Sequence, residues 1–207
     1  MLIEQPPWIY RIFFPGSIWR INPTERAVYL TFDDGPVPEI TPWVLDLLDH
    51  YGIKATFFCV GDNVRKYPDL YKMIKEKGHA VGNHTFHHLQ GIRSLTRNYI
   101  ADVKQATDYI ESPLFRPPHG HLRTVQFFWL KKRYKVIMWD VVTRDYSWRM
   151  TAEKVLNVVK KYTRNGSVIV FHDSVKAGDR MKISLPKAIE WLMQQGYTFK
   201  LIAETTV

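Results

Sequence analysis

Residues 28–36 read Val28-Tyr29-Leu30-Thr31-Phe32-Asp33-Asp34-Gly35-Pro36, an apolar run that ends in two carboxylates and a turn. A strand cannot continue through Gly-Pro, so the pattern predicts that both acids lie at the carboxyl end of a strand. Parallel α/β sheets and barrels carry their chemistry at this end. Because neighbouring side chains of an extended chain point to opposite sides, one carboxylate can bind a cation while the other moves a proton. Taken alone, Asp-Asp-Gly-Pro is more typical of a simple turn.

From residue 27 onward, short apolar runs alternate with longer amphipathic segments. The predicted strands are Ala27–Phe32, Ala55–Val60, His79–Asn83, Leu114–Arg116, Val136–Trp139, Ser167–Phe171 and Tyr197–Ile202. The predicted helices lie near Thr41–His50, Val64–Lys77, Thr96–Ile110, Thr124–Arg133, Thr151–Tyr162 and Leu185–Gln195. Repeated strand–helix units indicate a parallel sheet with helices outside it. Periodicity alone leaves open whether the seven strands form an open doubly wound sheet or close into a barrel.

The composition is that of an ordinary globular chain. The 207 residues suffice for one well-buried domain, and no linker, repeat or low-complexity tract marks a boundary. The net charge is +9, but the basic residues are scattered. Such an excess favours a solvated surface with affinity for polyanions or anionic membranes over a dedicated nucleic-acid groove, so no nucleic-acid partner is expected. Cys59 is the only cysteine, which excludes an intramolecular disulfide.

Residues 7–19 are rich in aromatic and apolar side chains. Arg11 and Pro15 interrupt the run and no basic region precedes it, so it is neither a good signal peptide nor a transmembrane helix. We predict that residues 1–26 form an aromatic segment packing on a single domain of residues 27–207. Such a segment can also touch a membrane, so weak membrane-surface association stays open. We expect a monomeric cytoplasmic protein, with association to the cell envelope not excluded.

Two histidines follow the third predicted strand, in Gly82-Asn83-His84-Thr85-Phe86-His87-His88. His84 and His88 are four residues apart, which places both imidazoles on one face if the segment turns helically. With Asp34 they could complete a two-histidine, one-carboxylate site that leaves positions for water and substrate. That set suits zinc or another divalent first-row metal. A histidine cluster alone is more often without a metal, and its coincidence with a double aspartate after another strand favours a metal site.

Three further polar segments follow predicted strands. The loop Arg116-Pro117-Pro118-His119-Gly120 is rigid and could hold Arg116 against a carboxylate and aim a backbone N–H at a developing oxyanion. The fifth strand is followed by a segment that carries Asp145 and Tyr146. His172 ends an unbroken apolar strand and is a natural general acid if a carboxylate orients it. For any one of these residues alone, a structural role is the commoner one.

In order and spacing, these segments resemble the polysaccharide deacetylase family, the carbohydrate esterases of family 4 that share the NodB homology domain. The matching motifs are Thr31-Phe32-Asp33-Asp34-Gly35, His84-Thr85-Phe86-His87-His88, Arg116-Pro117-Pro118-His119-Gly120, the Asp145-Tyr146 region and Val170-Phe171-His172-Asp173. The tail from Leu185 to Phe199 also resembles the family's last helix and strand. The resemblance therefore covers nearly the whole chain except its N-terminal segment.

The resemblance implies an α/β fold that is a distorted, incomplete (β/α) barrel with about seven parallel strands. It also implies a metal-dependent hydrolase that removes N-acetyl groups from oligo- or polysaccharides containing N-acetylglucosamine, of the chitooligosaccharide or peptidoglycan type, and releases acetate. One divalent metal ion is the expected cofactor, with zinc favoured over cobalt, nickel or manganese.

Carried over residue by residue, the resemblance assigns catalytic roles to four side chains. Asp33 is the expected catalytic base, and Arg116 would pair with it and hold it ionised. His172 is the expected general acid, and Asp145 would orient it.

The remaining motif residues would bind the metal and the substrate. The expected metal ligands are Asp34, His84 and His88. The backbone N–H of His119 would help bind the oxyanion, and Pro118 and Tyr146 would belong to the substrate site. The family usually has Tyr or Phe where this chain has His119, and Trp where it has Tyr146. These departures affect the groove and its specificity more than the chemistry.

Two other functions stay open at this point. A deacylase or deformylase of a lipid-linked amino sugar at the membrane surface would also fit the basic charge and the aromatic N-terminal segment. A non-catalytic carbohydrate-binding barrel is the second alternative, although a binding protein does not need both an acid and a base.

Overall fold

The computed structural model describes residues 4–202. Its parallel sheet has eight strands. In chain order they are β1 (Ala27–Asp33), β2 (Thr56–Cys59), β3 (Ala80–Asn83), β4 (Leu114–Phe115), β5 (Lys135–Val136), β6 (Val141–Val142), β7 (Val168–His172) and β8 (Thr198–Phe199). Seven of them follow the order β5-β4-β3-β2-β1-β7-β6, and β8 pairs with the first residues of β1.

The two edges of this sheet are adjacent in the sequence. β5 and β6 lie at opposite edges, yet only residues 137–140 connect them. A connection of this length spans at most about 18 Å, so the sheet has to curl until its edges approach each other. The structure confirms the predicted distorted, incomplete barrel of parallel strands, and it excludes the open doubly wound sheet.

β1 is the centre of the sheet and is buried along its whole length. It pairs in parallel with β2 on one side and with β7 on the other. A strand covered on both faces has a continuous apolar sequence, which explains the run that ends in Asp33. Leu30 and Phe32 pack under the outer helices, whereas Tyr29 lies in the core cluster inside the barrel. Because side chains alternate, Asp33 points to the same side as Tyr29, into the barrel.

Eight α-helices surround the described part of the sheet. They are α1 (Tyr10–Phe13), α2 (Thr41–His50), α3 (Gly61–Lys66), α4 (Pro68–Glu76), α5 (Thr96–Thr107), α6 (Thr124–Lys131), α7 (Ala152–Tyr162) and α8 (Val175–Gln194). The single helix predicted at Val64–Lys77 is wrong, because Tyr67 leaves the helical conformation before Pro68 and separates α3 from α4. The last helix begins ten residues before the predicted Leu185, and Pro186 lies inside it.

The shortest strands also differ from the prediction. β6 was not predicted, and the strand expected at Val136–Trp139 pairs with β4 only over Lys135–Val136. The expected last strand is reduced to β8. Two-residue strands show no alternating pattern, so their pairing partners define them and their local sequence does not.

Residues before β1 contact both edges of the curled sheet. Ile18 forms a parallel bridge with Ile137, next to β5. At the other edge, the Glu4 carbonyl accepts a hydrogen bond from the Val142 N–H of β6 at 2.8 Å. Trp19 is buried in the core cluster beside β5. The predicted boundary at residue 26 stays a prediction, and residues 1–3 and 203–207 lie outside the described residues. No helix within residues 4–202 is both long and apolar enough to cross a membrane.

Candidate active site

One pocket opens at the carboxyl ends of the parallel strands. Eight of the ten predicted site residues line it. The two that do not are Asp145 and Pro118, and both are buried. Pro117, the neighbour of Pro118, lines the pocket, and the assignment of Pro118 to the substrate site stays a prediction.

Three side chains in the pocket bring potential metal ligands together. One ligand atom from each of Asp34, His84 and His88 lies within 4.8 Å of the other two. Asp34 Oδ1 is 3.1 Å from His88 Nε2 and 3.8 Å from His84 Nε2. Two imidazole nitrogens and one carboxylate oxygen are a donor set that fits zinc and other divalent first-row metals.

His84 is oriented as a metal ligand requires. Its Nδ1 is 2.7 Å from the carbonyl oxygen of Arg116, so Nδ1 donates and Nε2 is left as an acceptor facing Asp34. Burial lowers the pKa of His84 to about 4. The imidazole is therefore neutral at physiological pH, which is the form that binds metals.

His88 reaches the same point through a loop and not through a helical turn. Residues 84–88 contain no helix, and both Thr85 and His88 have left-handed backbones, with φ of 65° and 56°. The Thr85 hydroxyl accepts the Leu89 N–H at 3.1 Å and fixes the loop. His87 points away from the cluster, where its Nδ1 lies 2.6 Å from Asp102 Oδ1. Asp102 was not singled out from the sequence, because it lies on α5 with no local motif around it.

Asp34 occupies a strained turn directly after β1. The backbone φ of Asp34 is 83°, a value that residues other than glycine rarely adopt. The Asn63 side chain donates to the Asp34 carbonyl at 2.8 Å and supports this conformation. Although burial opposes ionisation, the hydrogen bond from His88 and the charges of nearby histidines hold the pKa of Asp34 far below its ordinary value. Asp34 is thus a carboxylate ready to bind a cation.

Asp33 is anchored by one oxygen and presents the other to the pocket. Arg116 donates to Asp33 Oδ1 at 2.6 Å, and Asp33 Oδ2 lies 4.0 Å from His84 Nε2. Arg116 is itself 1% exposed, and it also donates to Thr31 Oγ1 at 2.7 Å and to the Met138 carbonyl at 3.0 Å. This buried guanidinium fixes the orientation of the Asp33 carboxylate.

His172 and Asp145 form a second fixed pair on the other side of the pocket. Asp145 Oδ1 lies 2.7 Å from His172 Nδ1, and Asp145 Oδ2 accepts the His172 N–H at 2.8 Å. Burial alone would lower the pKa of His172, but the charge and hydrogen bond of Asp145 outweigh it and raise that pKa to about 9. The imidazole therefore carries a proton at neutral pH, and its Nε2 is the nitrogen left for the pocket.

Asp173 holds the turn after β1 in place through hydrogen bonds with Gly35 and Thr41. Asp173 accepts the Gly35 N–H at 3.1 Å and the Thr41 hydroxyl at 2.7 Å. A Cβ at Gly35 would overlap the Asp173 carboxylate, so only glycine fits there. The sequence placed Asp173 in a motif without giving it this role, since its partners are more than 130 residues away.

The loop after β4 brings the backbone N–H of His119 to the pocket, beside its side chain. His119 has a left-handed φ of 59°, and within residues 4–202 no acceptor takes its N–H. The His119 ring packs on His88 at 4.8 Å between ring centres, and burial lowers its pKa to about 4. Tyr146 lies edge-on against His172 at 4.7 Å. Both residues therefore border the reacting groups.

Apolar side chains and one lysine complete the pocket wall. Trp139, Val142 and Val170 provide an apolar surface opposite the polar groups. Lys176, in the first turn of α8, is the exposed cation at the rim. None of these four was predicted as a site residue. An apolar side chain within or beside a strand is indistinguishable from core in the sequence, and Lys176 lies outside the motifs.

Backbone strain is concentrated around this pocket. Six non-glycine residues among 4–202 have positive φ, and five belong to the site or adjoin it. These five are Asp34, Thr85, His88, His119 and Arg144. Such conformations are destabilising and tend to cluster at functional sites, where surrounding contacts enforce them. The positive φ values thus cluster around the same pocket as the proposed catalytic and metal-binding side chains.

Comparisons with known proteins agree with this geometry. A sequence model of the family described as Polysaccharide deacetylase matches residues 20–136. The chain is 34% identical over 193 residues to a peptidoglycan-N-acetylglucosamine deacetylase of Bacillus cereus. The matched residues cover 90% of this chain and 91% of that protein. It is 32% identical over 166 residues to the chitooligosaccharide deacetylase of Azorhizobium caulinodans, with coverage of 76% and 79%.

A solved structure extends the likeness to three dimensions. The crystal structure of a peptidoglycan N-acetylglucosamine deacetylase in complex with 4-naphthalen-1-yl-N-oxidanyl-benzamide matches with a TM-score of 0.84 at 29% identity. The match covers 95% of each chain. The family resemblance inferred from five motifs is confirmed: this chain belongs to the polysaccharide deacetylase family.

Proposed function

We propose that this protein is a metal-dependent hydrolase that removes N-acetyl groups from glycans containing N-acetylglucosamine and releases acetate. One observation carries the proposal. A potential metal cluster, an aspartate paired with a buried arginine and a protonated histidine paired with a buried aspartate converge on one pocket. A carbohydrate-binding barrel would need none of these three arrangements.

Asp34, His84 and His88 would hold the metal, and zinc suits this donor set best, with cobalt, nickel and manganese as alternatives. When bound, a divalent cation polarises a carbonyl group and lowers the pKa of water. The neutral state of His84 and the ionised state of Asp34 mean that neither side chain has to lose a proton before the cation binds.

Asp33 is the proposed general base. Its Oδ2 faces the ligand atoms, so a water molecule beside them lies within reach of this oxygen. Asp33 takes the proton as the water oxygen attacks the acetamide carbonyl carbon. Arg116 holds Oδ1 and prevents the carboxylate from rotating away from this task.

The backbone N–H of His119 is the proposed donor to the oxyanion. It lies in a rigid loop beside His88, at the edge of the proposed metal cluster. A preorganised donor of this kind contributes about 3–4 kcal/mol to the stability of the transition state in well-studied enzymes. The apolar wall of Trp139, Val142 and Val170 suits the acetyl methyl group.

His172 is the proposed general acid. Its protonated imidazole donates to the sugar nitrogen as the carbon–nitrogen bond breaks, which leaves a free amine and acetate. Asp145 keeps the proton on this ring until that step. Asp33 therefore accepts a proton and His172 donates one within the same pocket.

The glycan itself is the finer part of the proposal. The Bacillus relative is named for peptidoglycan N-acetylglucosamine and the Azorhizobium relative for chitooligosaccharide, so both substrate types are supported. We favour a glycan strand over a lipid-linked amino sugar, because both relatives are named for glycan substrates and neither for a lipid-linked sugar. We propose that the protein acts as a monomer and without nucleic acid.

Acetate release tests the proposal. The zinc-loaded protein is incubated with chitooligosaccharides of defined length, with peptidoglycan and with a lipid-linked N-acetylated sugar. We expect acetate from at least one of the first two substrates, and none from a sample stripped of metal. Release from the lipid-linked sugar alone would support the alternative deacylase. Tight glycan binding without acetate from any substrate would support a binding protein and contradict the proposed hydrolase.

A further inference from the structure

The N-terminal turn exposes an unusual amount of apolar surface. Trp8, Ile9, Ile12 and Phe13 are 73%, 49%, 61% and 65% exposed. Single exposed apolar side chains are ordinary, but four within six consecutive residues form a contiguous patch that points to a binding partner. We call residues 8–13 the apolar turn.

The apolar turn continues onto the outer face of α6. Phe14 packs edge-on against Phe127 at 5.3 Å, and Lys131 donates to the Pro15 carbonyl at 2.6 Å. The same helix exposes Val125 (67%) and Phe128 (48%), three residues apart and therefore on one face. The residues directly after the apolar turn thus pack on α6, the helix that carries this exposed face.

Basic side chains surround this surface. Lys131 is the last residue of α6, and Lys132 and Arg133 follow it. Lys104 on α5 lies 5.7 Å from the centre of the Trp129 ring, and Arg133 lies 4.1 Å from the same ring centre. In the described part of the chain, none of these four cations pairs with a carboxylate. Their charge is therefore not neutralised locally.

We infer that the apolar turn and the α6 face form a docking surface for an anionic lipid bilayer. Aromatic and aliphatic side chains enter the boundary between headgroups and acyl chains, while the surrounding lysines and arginines bind anionic headgroups. A protein partner fits less well, because lysine is depleted at protein–protein interfaces. The net charge of +9 acts in the same direction over a longer range.

The position of the apolar turn gives the docked protein a defined orientation. Arg11 in this turn lies 3.7 Å from Asp140, directly before β6. The turn is therefore near the amino ends of the strands, whereas the candidate active site opens at their carboxyl ends. Val125 of the α6 face lies five residues after Gly120 of the pocket, so the docking surface runs along the side of the barrel from the pocket end towards the amino ends of the strands. The inference concerns binding only and does not depend on the proposed hydrolysis.

Vesicle sedimentation tests the inference. The protein is spun with phosphatidylcholine vesicles that contain or lack phosphatidylglycerol, and the bound fraction is measured. We expect binding to the anionic vesicles that falls roughly tenfold or more in the Trp8→Ser/Phe13→Ser variant and in the Lys104→Gln/Lys132→Gln variant. The apolar side chains Trp8 and Phe13 and the basic side chains Lys104 and Lys132 are all exposed, so their replacement should leave the fold intact. Circular dichroism of each variant checks that it is folded.

Matched controls remove equivalent groups elsewhere. Ile183→Ser changes an exposed apolar residue on α8, and Lys182→Gln/Lys187→Gln removes two exposed lysines of the same helix. These variants should bind as the parent does. Equal loss in the controls, no binding to anionic vesicles, or equal binding to neutral ones would overturn the inference. Self-association in solution that disappears with Trp8→Ser/Phe13→Ser would also overturn it, since a second copy would then be the occupant.

Discussion

Asp33 and His172 are register partners at the carboxyl ends of the adjacent parallel strands β1 and β7. Each is fixed by a buried side chain of opposite charge, Arg116 for Asp33 and Asp145 for His172. The second pair stabilises a protonated imidazole, because Asp145 raises the pKa of His172 to about 9. The pairing of two strands thus sets the proposed base and the proposed acid next to each other.

The division between Asp33 and its neighbour Asp34 can be tested directly. Asp33→Asn removes a base that is not a proposed metal ligand and lies 4.0 Å from His84 Nε2, so we expect full metal content and a rate reduced about 10²–10⁴-fold. Asp34→Asn removes a ligand and should lose most of the metal. Metal content by mass spectrometry and acetate release check both variants. Loss of metal in Asp33→Asn to the same extent as in Asp34→Asn would contradict these roles.

Metal removal tests the cluster as a whole. Chelation should abolish acetate release, and zinc should restore it, with cobalt, nickel and manganese compared at equal concentration. Because only folded protein gathers the three ligands, zinc should also raise the melting temperature. His84→Ala should show neither restoration nor this stabilisation. As a control, His79→Ala removes a buried histidine far from the cluster and should keep the metal response. Activity that survives exhaustive chelation would contradict metal dependence.

Much of the fold follows from the sequence because its main signals are local. The buried run of β1 predicts a central parallel strand, and its abrupt end in Asp33-Asp34-Gly35-Pro36 predicts the site. The grouping of Asp34 with His84 and His88 was inferred from two separate strand ends, and the structure brings these residues together. The roles of individual residues stay predictions.

Other features could not be predicted because they depend on partners distant in sequence. Asn63 supports the Asp34 turn and Asp173 supports Gly35, yet neither stands in a pattern that reveals its partner. β6 is two residues long, and only its pairing with β7 makes it a strand. The left-handed backbones at Asp34 and His88 are likewise imposed by tertiary contacts, since local propensity disfavours them.

The close approach at Gly35 predicts a specific loss. Gly35→Ala would place a Cβ inside the Asp173 carboxylate, so the turn has to shift and the hydrogen bonds that Asp173 accepts are weakened. We expect a destabilisation of about 2–4 kcal/mol and a large fall in activity. Gly52→Ala is the control, because its Cβ meets nothing within 4 Å although its φ is +62°. That variant should lose only about 1 kcal/mol and keep its activity, as urea unfolding and acetate release would show. A Gly35→Ala protein with parental activity would disprove the constraint.

Arg116 and Asp33 should behave as a coupled pair in stability measurements. Arg116→Met leaves the Asp33 charge buried without its partner, which costs about 3–5 kcal/mol in comparable pairs. Adding Asp33→Asn removes that charge, so the double variant should be more stable than Arg116→Met alone. Urea unfolding of the two single variants and the double variant gives the coupling free energy. Additive losses would show that Arg116 stabilises the barrel through its backbone contacts and not through Asp33.

The pairing of His172 with Asp145 predicts how activity depends on pH. Since Asp145 raises the pKa of His172 to about 9 against the effect of burial, the acid is protonated below that value and lost above it. The stability that the pair contributes follows the same sign: it is fully present below the unfolded pKa of about 6.5 and lost as the pH rises through about 9. Asp145→Asn removes the charge, so the basic limb of kcat should move to lower pH by about 1–3 units.

Asp140→Asn provides the matched control, because Asp140 is an equally buried aspartate that binds Arg164 and Ser167 at the opposite end of β6. It should lower stability without moving the basic limb. His172→Ala should abolish the limb and most of the rate, since no proton donor is left for the departing amine. If Asp145→Asn and Asp140→Asn give the same pH profile, Asp145 acts only in folding, and the proton on His172 is maintained by the remaining carboxylates of the pocket.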